Sequence, residues 1–180
     1  MPGENQEIMI YTSSQHPSEV QKLVAEVLDR PFHKVHVEMR RMGGGFGGKE
    51  TQAAPWACIA ALLADITQKP CKLRLSRMQD FQVTGKRHPF VQDYQLGVDN
   101  NGTLTGAIYD IKGICGISPD LSEAIVDRAM FHCDNGYYMP NADVWGHRLK
   151  SNHASNTAFR GFGGPQGMLL AEQAMEEIAL

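Results

Sequence analysis

The 180-residue sequence has no hydrophobic run long enough to cross a membrane, no excess of basic residues, and no basic stretch followed by an apolar one at its start. A membrane-spanning helix needs about 20 consecutive apolar residues. The 17 Lys and Arg against 20 Asp and Glu give a net charge of −3, whereas nucleic acids and anionic membranes attract clustered positive charge. These absences predict a globular, cytoplasmic protein that binds neither nucleic acid nor membrane.

Closely spaced cysteines are also missing. None of the four cysteines forms a Cys-x-x-Cys pair, so neither a dense disulfide framework, a zinc site nor an iron–sulfur cluster is indicated. His33 and His36 are predicted to lie on one strand, where residues three apart face opposite sides and cannot share a metal. We therefore expect four reduced thiols. They are Cys58, Cys71, Cys115 and Cys133.

Apolar periodicity along the chain alternates between the repeats of strands and of helices. Strands are predicted at 7–12, 35–39, 71–76 and 143–150, with a hairpin of 92–98 and 103–112 that turns at Gly102. Helices are predicted from Pro17 to about 28, around 58–66, from Ser118 to about 132, and from Pro165 onward. This order predicts an α/β or mixed α+β fold, with βαβαβ-type layers followed by a hairpin and further helices.

Two of these helices are marked by particular apolar residues. The second is marked by Cys58, Ile59, Leu62, Leu63 and Ile66, and in the last helix Met168, Ala171, Met175 and Ile178 share a face. That last pattern still runs at Leu180, and no internal repeat or domain boundary is evident. We therefore expect residues 1–180 to be a fragment of one larger domain, truncated at both ends.

Glycine is more frequent than in a typical protein, with 18 residues, and eight of them lie in two clusters at 43–48 and 161–164. The first cluster falls between a predicted strand and a predicted helix. Glycines there allow positive φ angles and let backbone N–H groups approach a ligand without a Cβ in the way. The clusters are therefore the first places to look for a functional site.

The first cluster is compatible with three interpretations. Gly43-x-Gly45-x-x-Gly48 matches the dinucleotide fingerprint of an NAD-dependent dehydrogenase, but the acidic residue expected about 20 positions later is missing. The same residues nearly match a phosphate-binding loop, except that Glu50 stands where Ser or Thr should follow Lys49. A turn without a ligand is the third interpretation, although five glycines in six positions carry an entropic cost that a plain turn does not require.

Four ordered segments, at 42–50, 84–90, 127–135 and 156–166, together resemble the molybdenum subunit of the xanthine dehydrogenase and oxidase family. The resemblance implies a molybdopterin-type cofactor in a larger molybdenum-binding domain, and hydroxylation of hypoxanthine or xanthine with oxygen from water. It also implies iron–sulfur clusters and FAD on portions absent from this chain, and an oligomeric parent enzyme. An aldehyde-oxidising member of the same family is the sister possibility.

The resemblance assigns four residues to the cofactor. Gln15, Phe46 and Arg160 match positions close to the molybdenum that do not ligate it, and Gly47 matches a position whose backbone lies against the metal centre and its pterin. The segment departs from the family pattern at one point, because His16-Pro17 follows Gln15 directly.

The resemblance assigns three residues to the substrate. Glu50 and Arg128 match a catalytic polar pair that grips the purine, and Phe162 matches an aromatic residue that packs on its ring. A guanidinium stabilises negative charge that develops on the heterocycle in the transition state, which increases turnover. Because the family's general base and a second phenylalanine lie on later segments, we expect the fragment alone to be inactive.

Overall fold

Two compact units, Met1–Gly85 and Lys86–Leu180, make up the chain in a computed structural model that describes every residue. The first unit contains a two-stranded parallel sheet and three α-helices, and the second contains a three-stranded sheet and two α-helices. Strands and helices mixed in this order confirm the predicted α/β or mixed α+β class. No helix combines the length and the apolar character needed to cross a bilayer.

The first unit is a βαβ arrangement followed by two further helices. Strands β1 (Ile8–Tyr11) and β2 (Val35–Glu38) lie parallel, and helix α1 (Pro17–Val27) connects them. Parallel strands need such a crossover because a tight turn cannot join them. Helix α2 (Ala54–Thr67) follows the first glycine cluster, and helix α3 (Arg77–Val83) lies near the end of the unit.

The small side chains of α2 form its buried face. The alanines at 54, 57, 61 and 64 pack into the core that β1, β2 and α1 share. The large residues that marked this helix in the sequence point away from that core and are 42% to 71% exposed; they are Ile59, Leu62, Leu63 and Ile66. Helix α2 is therefore apolar on all sides, which is typical of a helix that is covered in a larger protein.

Two predictions in the first unit are wrong, and one helix was missed. Residues 71–76 form no strand, although their apolar and polar residues alternate, because no neighbouring strand pairs with them. Helix α3 was not predicted, despite a capping box in which the Ser76 side chain accepts from the Gln79 N–H and the Gln79 side chain accepts from the Ser76 N–H. His33 lies in a short 3₁₀ turn (Phe32–Lys34) and not in a strand with His36.

The second unit is built on a hairpin extended by a parallel strand. Strands β3 (Phe90–Val98) and β4 (Leu104–Gly116) are antiparallel, as predicted. Helix α4 (Ser122–Phe131) then crosses over to β5 (Ala142–Lys150), which pairs in parallel with β4. Helix α5 (Gly164–Ala179) completes the unit. The predicted strand at 143–150 is confirmed, whereas α4 begins four residues later than Ser118.

Glycine also controls how α5 packs. A Cβ built on Gly163 would overlap the carbonyl oxygen of Ile125, and one on Gly167 would overlap the carbonyl oxygen of Ala129. Helices α4 and α5 therefore touch through backbone at these positions. The predicted apolar face of α5 is correct only in part, because Ala171 is buried whereas Met168 is 38% exposed. The buried face consists of Gly164, Gly167, Leu170, Ala171 and Ala174.

A buried histidine secures the start of α4. His88 is 3% exposed, and its Nε2 lies 2.7 Å from Oγ of Ser122, the fully buried first residue of α4. Burial lowers the pKa of His88 below its ordinary value of 6.5, and the nearby charge of Asp120 opposes only part of that effect. The neutral ring is therefore the form that fits this site.

Replacing Gly163 by alanine should destabilise the chain by about 2–4 kcal/mol, because the added methyl meets the Ile125 carbonyl and the residue keeps a left-handed φ of +91°. The matched control is Gly102→Ala in the same unit, where φ is +81° and no atom lies within 4 Å of the added carbon. The control should lose only about 1–2 kcal/mol. Denaturant unfolding measures both, and equal losses would contradict the packing argument.

Acidification should destabilise the chain through His88. The unfolded residue takes up a proton near pH 6.5 and the folded one only at lower pH, so its contribution is lost as the pH falls below about 6.5. Urea unfolding from about pH 7.5 to about pH 5 should show a smaller loss of stability for His88→Gln than for the wild type. The exposed Gln82→Ala variant, which removes no ionisable group, is the control and should keep the wild-type slope. Identical slopes for His88→Gln and the wild type would refute this prediction.

Candidate functional site

The tetrapeptide Gly-Phe-Gly-Gly occurs twice, at 45–48 and 161–164, and forms the same type of turn in both places. The N–H of the last residue donates to the carbonyl of the first, at 2.9 Å and 3.0 Å. Phe46 and Phe162 have φ angles of +52° and +50°, and the glycines that follow them have +88° and +91°. Positive φ at both central positions is the type I′ turn. The repeat of this tetrapeptide was not predicted, although it is visible in the amino-acid sequence.

Both turns are strained at the phenylalanine. A bulky residue in the left-handed region costs about 1–2 kcal/mol, whereas glycine adopts it freely. Phe46 is 65% exposed, so burial of its ring in this chain does not offset that cost. Phe162 is half-buried. Retained strain of this kind clusters at functional sites in proteins, which supports the choice of these two loops.

In the first unit, the structure brings Gln15 onto the first turn. The Gln15 Oε1 accepts a hydrogen bond from the Gly47 N–H at 2.9 Å, and the Gln15 N–H donates to the Lys49 carbonyl at 2.9 Å. A Cβ on Gly45 would overlap the Gln15 side chain, so this contact requires glycine. This bond orients the Gln15 amide, whose nitrogen is a donor available to a ligand.

Lys49 is engaged inside the same loop. Its Nζ donates to Oγ of Ser13 at 2.8 Å and to the carbonyl of Met42 at 2.7 Å. Five residues separate Gly48 from Ala54, where α2 begins. A phosphate-binding loop needs a free lysine, and both nucleotide-binding patterns need a helix that starts in the loop. The geometry therefore gives no support to a phosphate loop or to an NAD-dependent dehydrogenase.

Glu50 follows the first turn and precedes α2. Its N–H donates to the Gly47 carbonyl at 3.1 Å, and the residue is half-buried. This bond places the Glu50 backbone directly after the turn that contains Phe46. Because Glu50 belongs to the first unit and Arg128 to the second, their action as a pair stays a prediction.

In the second unit, Arg87 holds the loop that carries Arg160. The Arg87 Nη2 donates to the carbonyl of Arg160 at 2.6 Å, and its guanidinium lies 4.7 Å from the ring centre of Phe159. The Phe162 N–H in turn donates to the Phe159 carbonyl at 2.8 Å. The side chain of Arg160 itself is exposed.

Arg128 lies on α4 beside the first turn of α5. A Cβ on Gly164 would lie 3.8 Å from its Nε, so the side chain passes over that glycine. The two acidic residues of α4, Glu123 and Asp127, both pair with Arg148. The exposed guanidinium of Arg128 therefore keeps its charge free of the acids on its own helix.

The first loop offers open backbone and a side-chain donor to a ligand. Gly43 has a φ of +73° and no atom within 4 Å of a built Cβ, which leaves one side of its backbone open to a ligand. Gln15 adds a side-chain N–H donor beside it. Backbone N–H groups and a side-chain amide are donors that suit the organic part of a cofactor. No group of three or more His, Cys, Asp and Glu side chains is arranged to hold a metal ion.

Removing the Gln15 side-chain amide should loosen the first turn. In Gln15→Leu the Gly47 N–H loses its acceptor, so its hydrogen exchange should accelerate and the chain should lose about 1 kcal/mol of stability. Gln15→Glu is the matched control, because it keeps an oxygen acceptor at that position. Exchange of the Gly47 amide measured by NMR checks the prediction, and equal protection in the Leu and Glu variants would contradict it.

Comparison with solved structures supports the fold. The aldehyde oxidoreductase from Desulfovibrio desulfuricans superposes with a TM-score of 0.90 at 26% identity, over 99% of this chain and 20% of that one. Quinoline 2-oxidoreductase from Pseudomonas putida 86 shares the fold, with a TM-score of 0.83 at 23% identity, over 97% of this chain and 23% of that one. Both are oxidoreductases by name, and both are much longer than this chain.

Similar sequences occur among curated proteins. The chain is 46% identical to xanthine dehydrogenase of Calliphora vicina over 179 residues, and 43% identical to xanthine dehydrogenase/oxidase of Rattus norvegicus over 178 residues. Each alignment covers 99% of this chain and 13% of the relative, so the chain spans about one eighth of the length of these proteins. The sequence model of the molybdopterin cofactor-binding domain matches residues 1–180, and the chain belongs to that family.

Proposed function

We propose that this chain is part of a molybdenum hydroxylase that oxidises hypoxanthine and xanthine with oxygen derived from water. It would contribute the first cofactor loops and the residues that grip the purine. The observation that carries the proposal is the 46% identity to a xanthine dehydrogenase across 99% of the chain. The aldehyde oxidoreductase structure, with nearly the same fold, is only 26% identical. Fold alone does not assign a substrate, so the residues must.

Four residues would hold the cofactor. Gln15 would donate its free amide N–H, Phe46 and Gly47 would present the backbone of the first turn, and Arg160 would present the second loop. The hydrogen bond between Gln15 and Gly47 orders the first of these groups before any ligand binds. Such preorganisation lowers the entropic cost of binding. When bound, the molybdenum cofactor supplies the redox centre that accepts two electrons from the substrate.

Three residues would bind the purine. Glu50 would hydrogen-bond the polar edge of the heterocycle, and Phe162 would pack on its ring. Arg128 would stabilise the negative charge that develops on the ring in the transition state, and its freedom from the acids of α4 supports this role. A polar pair of this kind discriminates strongly against substrates that lack matching groups, which favours purines over apolar aldehydes.

The remaining partners would be other parts of the same enzyme. The exposed apolar face of α2 supports contact with the rest of a polypeptide of which this chain covers 13%. That remainder would carry the iron–sulfur clusters, the FAD and the other cofactor loops, in a cytoplasmic oligomer. Because the general base and a second phenylalanine would also lie there, the 180 residues alone would be inactive.

In the full-length enzyme, Glu50→Ala and Arg128→Ala should each lower kcat/KM for xanthine on the order of a hundredfold or more, since each removes a contact strengthened in the transition state. Steady-state urate formation measures this effect. Two exposed residues outside the proposed site, Glu176 and Arg74, provide the matched controls Glu176→Ala and Arg74→Ala, which should retain wild-type rates.

Unchanged xanthine kinetics in both site variants would remove the purine assignment. If the wild-type enzyme oxidises aldehydes and not xanthine, the sister function in the same family is correct. The 180-residue chain is assayed in parallel with added cofactor, and xanthine oxidation by it would disprove the expected inactivity.

A further inference from the structure

We propose that Lys49 and Arg87 are positioning residues that hold the two Gly-Phe-Gly-Gly turns in their strained shape for cofactor binding. The inference rests on the proposed function, because the turns matter only if they meet the cofactor. It assigns a role to two basic residues that neither the family resemblance nor the proposed chemistry uses. Lys49 belongs to the first unit and Arg87 to the second. The contacts that each residue makes, here called its brace, lie within its own unit.

Lys49 braces the first turn through hydrogen bonds to residues 13–15 and 42. Its ammonium joins the carbonyl of Met42, which precedes the glycine cluster, to the hydroxyl of Ser13, which precedes Gln15. The Ser13 hydroxyl donates to the same Met42 carbonyl at 3.1 Å. The Lys49 carbonyl accepts from the N–H of Gln15 at 2.9 Å and from the hydroxyl of Ser14 at 3.1 Å. One residue thus ties both ends of the loop to the segment that positions Gln15.

Arg87 braces the second turn in the same chemical way. Its guanidinium donates to the Arg160 carbonyl, immediately before residues 161–164, and stacks on Phe159. The carbonyl of Phe159 accepts the N–H of Phe162, so the arginine reaches the strained residue through one intermediate contact. In both units a cation donates to a backbone carbonyl that precedes the turn, directly before it at Arg160 and three residues before Gly45 at Met42.

The partners of these two cations tie each of them to its loop and not to an acid. Neither Lys49 nor Arg87 has an acidic partner; the partners of both are neutral oxygens and one aromatic ring. Hydrogen bonds from charged donors are stronger than neutral ones and fix their acceptors more firmly. Phe46 and Phe162 would relax from the left-handed region if their loops were free to move. The two cations therefore oppose a relaxation that would withdraw the turns from the cofactor.

The test uses the full-length enzyme with Lys49→Met and Arg87→Met. These substitutions keep most of the aliphatic length and remove the charged donor. The conservative variants are Lys49→Arg and Arg87→Lys, and the matched controls are Lys69→Met and Lys150→Met at exposed lysines, one in each unit. The readouts are molybdenum and pterin content per protomer, the rate of molybdenum loss on warming, and the electron paramagnetic resonance spectrum of the partly reduced enzyme.

Each methionine variant should lose molybdenum on the order of tenfold faster than the wild type, since one charge-assisted hydrogen bond is worth about one decade in an equilibrium. The molybdenum spectrum should also broaden or shift. The conservative variants should recover most of the wild-type behaviour, and the controls should match it. If Lys49→Met does not fold, Ser13→Ala removes one of the two Lys49 acceptors and should accelerate the loss in the same direction.

The possible outcomes distinguish a failure of this inference from a failure of the proposed function. Wild-type enzyme without molybdenum or pterin would overturn the proposed function. A loaded wild-type enzyme, with unchanged loss rates and spectra in the methionine variants, would overturn the inference and leave the function standing. For an unfolded Lys49→Met, wild-type behaviour of Ser13→Ala would overturn the first brace.

Discussion

The left-handed conformation of Phe46 and Phe162 is the constraint on which the two glycine-rich loops depend. Each phenylalanine sits between glycines in a type I′ turn, and each turn is closed by a hydrogen bond between its first and last residues. A non-glycine residue is strained in that conformation, so surrounding contacts must maintain it. Gln15 against Gly47 does so in the first unit, and the Phe159 carbonyl does so in the second.

Glycine has three distinct physical roles in these loops and in the helix that follows the second one. Gly47 and Gly163 supply positive φ angles inside the turns. Gly45 and Gly167 have no side chain because another group, the Gln15 amide or the Ala129 carbonyl, occupies the space a Cβ would need. Gly43 leaves open space next to its backbone. Only this last role leaves room for a ligand, so glycine abundance by itself says less about binding than the position of each glycine.

The buried and exposed faces of α2 differ in the size of their side chains. Alanines pack inward, where close approach to α1 requires small side chains, and large aliphatic residues point outward. The large aliphatic residues therefore identify the helix but not the side that faces the core. The outward residues suit an environment that the remaining seven eighths of the relatives' length could supply.

The amino-acid sequence by itself determined the main helices, the hairpin at Gly102 and the family, because periodicity, turn chemistry and rare ordered segments are local properties. It did not determine whether residues 71–76 form a strand, since a strand exists only where another strand pairs with it. Nor did it determine that Lys49 binds Met42 and Ser13 in place of a phosphate, or that Gln15 lies on Gly45. The contacts of Lys49 with Ser13 and of Gln15 with Gly45 join distant segments of the chain, so only the tertiary structure could decide them.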